Sequence, residues 1–149
     1  MIDTLTSLRF IFAIMVFSAH CYVIDSFFNT HFFKEGFVGV SFFFVLSGFI
    51  IAYNYQKKLS ESKISKRTFW VARIARVYPL HWLTLLVAAV LGNYVVASGT
   101  TEWLKHFFAS LTLTNGYIPQ ADYFFSFNSP SWSLCCEQLF YFCFPFLYR

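Results

Sequence analysis

Charged side chains cut the chain into apolar runs of unequal length. Residues 8–24 carry only Arg9 and His20 as basic groups, and residues 37–55 carry no charge at all. Residues 77–96 form a third run interrupted only by His81. Each run approaches the roughly 20 residues a helix needs to cross a bilayer's hydrocarbon core. The pattern predicts spans over 8–24, 37–55 and 77–96. Pro79 falls near the start of the third, where the first turn tolerates proline, and Trp82 suits an interface anchor. Residues 103–114 are apolar but short and hold Lys105 and His106, which predicts a re-entrant or interfacial helix. Residues 115–131, rich in Asn, Ser, Gly and Pro, read as a loop. A helix follows from 133, and a new apolar run starts at about 139. A run cut after about ten residues cannot finish a crossing, so the chain is expected to be the N-terminal part of a larger protein.

Composition agrees with an all-α, polytopic membrane bundle. Of 149 residues, 58% are hydrophobic, 12% are charged and 22 are Phe, too little polar surface for a water-soluble domain of this size. The apolar runs are continuous, which argues against barrel strands. No basic n-region precedes the first run, so a cleavable signal is not expected. The four cysteines form no C-x-x-C pair and read as small, unbridged thiols.

Charge placement gives the orientation. Seven of the eleven basic residues lie between Lys57 and Arg76, opposed only by Glu61. Basic loops stay in the cytoplasm, so the second span runs inward, the first outward, and the N-terminus is cytoplasmic. No nucleic-acid fold pattern accompanies the basic stretch.

Several groups are candidates for chemistry. Arg9 and His20 share one helix face, about 16 Å apart along the axis, and intramembrane ionisable groups are functional candidates. The alternative is an interfacial anchor plus a packing histidine. Arg73 and Arg76, three apart, can grip phosphate with two guanidiniums or attract lipid headgroups. Gly39, Ser47 and Gly48 make notches for a helix or a narrow ligand. Glu137 sits at the lip of an apolar helix that Ser131 or Ser133 can cap, where it serves either the helix dipole or an imidazole. No metal-ligand spacing is visible among the histidines.

Taken in order, these residues resemble the membrane-bound acyltransferase-3 family. Arg9 and His20 match its Arg/Lys-x10-His motif, and 37–49 is similar to its F…FF-x-L-S-G-F motif, which includes Ser47 and Gly48. Arg73 and Arg76, followed by Tyr78 and Pro79, match R-x-x-R. Trp132, Ser133, Leu134 and Glu137 match W-S-L-x-x-E, extended by Phe140 and Tyr141, with Cys135 and Cys136 at its variable positions. The resemblance implies about ten spans and transfer of an acyl group, expected to be acetyl, from cytoplasmic acyl-CoA to a hydroxyl of a cell-surface or exported glycan. It implies an enzyme of the cytoplasmic (inner) membrane with acyl-CoA as co-substrate and no resident cofactor. His20 would be the general base, or a nucleophile forming an acyl-histidine, with Glu137 orienting it. Arg9, Arg73 and Arg76 would hold the donor, and Ser47, Gly48, Tyr78, Trp132 and Ser133 would line its cavity.

Two other classes compete. Intramembrane Arg, His and Glu also suit a proton-coupled exporter, although its inverted repeats and broken half-helices are not evident. A non-catalytic membrane assembly subunit is the third. Orientation is testable directly. Single cysteines at Ser62 and Thr30, in a background without the native cysteines, should react with an impermeant thiol reagent on intact cells at 30 and not at 62. The reverse pattern would overturn the donor-side assignment.

Overall fold

The computed structural model describes residues 2–21, 35–92 and 94–147. The end of the expected first span and the loop containing Thr30 lie outside the described residues. Every regular element among those described is helical: α1 (Ile2–Cys21), α2 (Gly36–Ser60), α3 (Lys66–Leu91), α4 (Tyr94–Leu111), a 3-10 turn (Asn115–Tyr117), α5 (Ala121–Phe124) and α6 (Ser131–Leu147). By length and composition α2 and α3 can cross a membrane, and 7–20 forms a shorter apolar stretch of α1. The chain divides into two compact units, Met1–Tyr55 and Gln56–Arg149.

In the first unit α1 and α2 meet at glycines. A Cβ on Gly36 would stand 2.4 Å from Cβ of Ala19, and one on Gly39 would stand 2.6 Å from the Val16 side chain. Both approaches are closer than carbon atoms tolerate, so glycine there is a condition of contact. Phe12 stacks on Phe42 at 4.0 Å along the same seam. Of the three notches expected in α2, Gly39 serves this packing, whereas a Cβ on Gly48 would meet nothing within 4 Å.

The second unit corrects the boundaries of the basic stretch, most of which is helical. Ser62 takes φ 53° and closes α2, with Ser62 N–H donating to Leu59 O and Lys63 N–H to Lys58 O. This is the paired C-terminal capping pattern that ends many helices. Ser65 then caps α3 by accepting the Thr68 N–H at 3.0 Å. The cap starts α3 at Lys66 instead of the expected Val77, and Pro79 falls inside the helix rather than in its first turn. The short apolar segment expected at 103–114 belongs to α4, which is broken at Gly99 (φ 75°, ψ 158°). That backbone conformation is open mainly to glycine.

One stripe of α3 holds the unit together. The last carbonyls of a helix lack intrahelical donors. At the end of α4 they accept from α3: His81 Nε2 donates to Ser110 O (2.8 Å), Trp82 Nε1 to Leu111 O (3.2 Å) and Tyr78 OH to Thr112 O (3.4 Å). The chain then turns at Leu113, at φ 55° with its side chain fully buried.

A second orphan carbonyl joins α3 to α6. Pro145 lies inside α6 and has no N–H for the carbonyl of Tyr141, four residues back. Trp70 Nε1 donates to that oxygen at 3.1 Å, while its ring stacks on Phe142. An unmet buried carbonyl costs about 1–3 kcal/mol. Trp70→Phe should therefore lower the melting temperature of the detergent-solubilised protein. It should lower it less when Pro145→Ala restores a backbone N–H at that position. Equal losses in both backgrounds would show that the indole acts only by packing.

A candidate donor cavity and a tautomer-fixed histidine

The residues singled out from the sequence fall in both units. Arg9, His20, Ser47 and Gly48 belong to the first, and Arg73, Arg76, Tyr78, Trp132, Ser133 and Glu137 to the second.

On α1 the His20 ring is exposed, and its Nδ1 lies 2.8 Å from the carbonyl oxygen of Val16, one turn back. A carbonyl only accepts, so in the neutral ring Nδ1 carries the proton and Nε2 keeps the lone pair. The helix itself thus selects a tautomer with a basic Nε2. Arg9, half-buried, sits on the same helix.

In the second unit α3, α6 and the segment after α4 line an open cavity of about 450 Å³. Its walls are mainly apolar, from Ile74, Val77, Leu113 and Leu139 among others, and its polar groups include Arg73, Tyr78 and Gln138. Arg73 is only 9% exposed. Its guanidinium carbon lies 5.9 Å from the ring centres of both Phe69 and Tyr141, within cation–π range. Arg76 is exposed and does not line the cavity, so the two arginines expected to act as a pair differ in surroundings. Tyr78 lines it, and its hydroxyl accepts from Gln138 Nε2 at 2.8 Å. An apolar recess with one nearly buried cation suits a ligand that joins an apolar body to an anionic or strongly polar group.

The remaining motif residues are mostly structural. Trp132 stacks on Phe124 at 5.4 Å. Ser133 donates its hydroxyl to Pro130 O, while Ser131 is buried and accepts from Asn115 Nδ2 at 3.2 Å. Asn115 is fully buried and also accepts from the Cys135 thiol, tying the segment after α4 to α6. Tyr117, at the cavity rim, donates to Cys135 O. Burial of part of its ring pushes its phenol above the ordinary value of 10, so it remains a donor at physiological pH. Glu137 accepts the hydroxyl of Tyr141, four residues ahead on α6.

Sequence reasoning missed Tyr141 as more than a motif extension, and it missed Phe69, Trp70 and Gln138. The i, i+4 spacing of Glu137 and Tyr141 was a usable signal for the first. Contacts between α3 and α6 left no signal in either stretch alone.

Comparison with known proteins agrees with the motif order. The profile of the Acyl_transf_3 family, an acyltransferase domain, matches residues 2–149. The acyltransferase MdmB of Streptomyces mycarofaciens is 36% identical over 158 residues, covering 99% of this chain and 39% of that protein. The peptidoglycan O-acetyltransferase OatA of Listeria monocytogenes is 28% identical, over 75% of this chain and 20% of its own length. A putative O-acetyltransferase of Staphylococcus aureus is 30% identical, over 78% of this chain and 21% of its own length. The chain therefore spans two-fifths or less of these relatives. No solved structure matches it. With the family profile matched over almost its whole length and four motifs in order, the chain belongs to the acyltransferase-3 family.

Proposed function

We propose that the protein is a polytopic O-acyltransferase of the cytoplasmic membrane. It moves an acyl group, with acetyl as the expected one, from cytoplasmic acyl-CoA to a hydroxyl of a cell-surface or exported glycan. Family membership and the O-acetyltransferase names of two relatives support acyl transfer to a hydroxyl over proton-coupled export or a purely structural role. Exposed apolar side chains support the membrane: Phe17 is 68% exposed, Val45 74% and Val90 81%. Such surface is costly in water and is matched by lipid.

The observation that carries the mechanism is the hydrogen bond between His20 Nδ1 and Val16 O. It leaves Nε2 as the basic nitrogen. In the proposed reaction Nε2 takes the acceptor's hydroxyl proton as the oxygen attacks the thioester carbonyl. The tetrahedral intermediate collapses with loss of the CoA thiolate, which recovers the proton from the imidazolium. The tautomer does not require Glu137. The second unit supplies the donor cavity, with Arg73 holding the donor's anionic or carbonyl end and the exposed Arg76 adding positive charge on the same helix. No resident cofactor enters the scheme.

Full-length protein in membranes, given labelled acetyl-CoA, should transfer label to the carbohydrate fraction. His20→Ala should cut transfer by about 10²–10⁴ while acetyl-CoA binding and membrane insertion persist. Transfer within a few-fold of wild type in an inserted protein would remove His20 from the chemistry, and label appearing only outside carbohydrate would remove the glycan. Arg73→Lys replaces a planar fork by a point charge. It should raise the apparent KM for acetyl-CoA by about tenfold. Unchanged donor kinetics would confine Arg73 to a structural role.

A further inference from the structure

Three side chains from two motifs stand in a line within the second unit. The Glu137 carboxylate accepts the hydroxyl of Tyr141. The Tyr141 ring, 7% exposed, faces the guanidinium of Arg73 at 5.9 Å. Arg73 and Tyr141 both line the cavity. Phe69 holds the guanidinium at the same distance and is itself buried and stacked on Phe144 at 5.5 Å. The guanidinium is thus placed by two ring faces, one of which is tied to a carboxylate.

The tie has an electrostatic consequence. A phenol that donates to a carboxylate shifts electron density into its ring, and linked polar groups polarise one another most where water is scarce. A more electron-rich ring attracts a cation more strongly. The hydrogen bond also restricts the ring's tilt and so the position of the guanidinium beside it. Both effects act on Arg73.

We propose that Glu137 is a positioning residue of the donor cavity, acting through Tyr141 on Arg73. The proposal rests on the reading of the cavity as the acyl-CoA site. It links the acid of the Trp-Ser-Leu-x-x-Glu motif to the first arginine of the Arg-x-x-Arg motif. The acid then governs donor affinity.

The test is equilibrium binding of labelled acetyl-CoA to the purified full-length protein. Tyr141→Phe removes one oxygen and keeps the ring, the helix and the carbonyl that Trp70 uses. Tyr141→Phe and Glu137→Gln should each weaken binding by about threefold to tenfold, a fraction of a desolvated cation–π contact. The double variant should bind no more weakly than the worse single variant, because both remove one link. In an Arg73→Gln background neither change should alter the dissociation constant further, a dependence that a merely structural role would not produce. A single variant within twofold of wild type, or an undiminished loss in the Arg73→Gln background, overturns the proposal. So does a Glu137→Gln protein that binds acetyl-CoA normally and loses only turnover. Failure of the wild-type protein to bind acetyl-CoA would instead overturn the donor reading, and the proposal with it.

Discussion

The second unit depends on a hydrogen bond that a proline makes necessary. Without a backbone N–H at Pro145, the carbonyl of Tyr141 needs a donor from elsewhere, and Trp70 supplies it from α3. The bond pins α6 to α3 at the residue whose side chain faces Arg73. Phe142 and Phe146 pack around the same indole, so the polar link is sheltered by aromatic surface. Gln138 joins Tyr78 almost one turn earlier on α6, which fixes the register of the two helices at a second point. A cavity with a defined shape requires such fixing, because apolar contacts alone tolerate sliding along a helix.

The third wall follows from the same logic. His81, Trp82 and Tyr78 lie on one face of α3 and satisfy the carbonyls that end α4. The chain must then turn at once, and Leu113 does so at a positive φ that leucine adopts only under constraint. Its side chain is fully buried and lines the cavity. Burial of a leucine, worth about 1.5–3 kcal/mol, offsets the cost of about 1–2 kcal/mol for the left-handed conformation. Glycine would relieve the backbone and leave the wall open.

Much of this was legible in the sequence. The apolar runs located α1, α2 and the apolar part of α3, and the order of four motifs identified the family. Helix ends were less legible. Ser65 and Thr68 form a cap signal, but the surrounding lysines and arginines read as a loop, so α3 began eleven residues earlier than expected. The broken α4 was underestimated because Gly99 separates its two parts. The R-x-x-R motif suggested two equivalent arginines, yet only Arg73 is nearly buried, a difference set by which residues of α6 face α3. Such tertiary facts have no local signature in either segment.

Both tautomer selection and guanidinium placement use local groups. His20 bonds to Val16, four residues back on α1, and Glu137 bonds to Tyr141, four residues ahead on α6. In each case one helical turn is the ruler, and the orienting group moves rigidly with the group it orients. A base whose tautomer depended on an acid from another helix would lose its protonation pattern whenever those helices shifted. A base oriented by its own backbone keeps its lone pair on Nε2 through such motion, because the Val16 carbonyl and the ring are carried by the same turn. The same holds for Glu137 and the ring it polarises. In the proposed scheme proton transfer and donor grip thus each rest on a local geometry, and only the docking of Arg73 against Tyr141 requires two helices to stay in register.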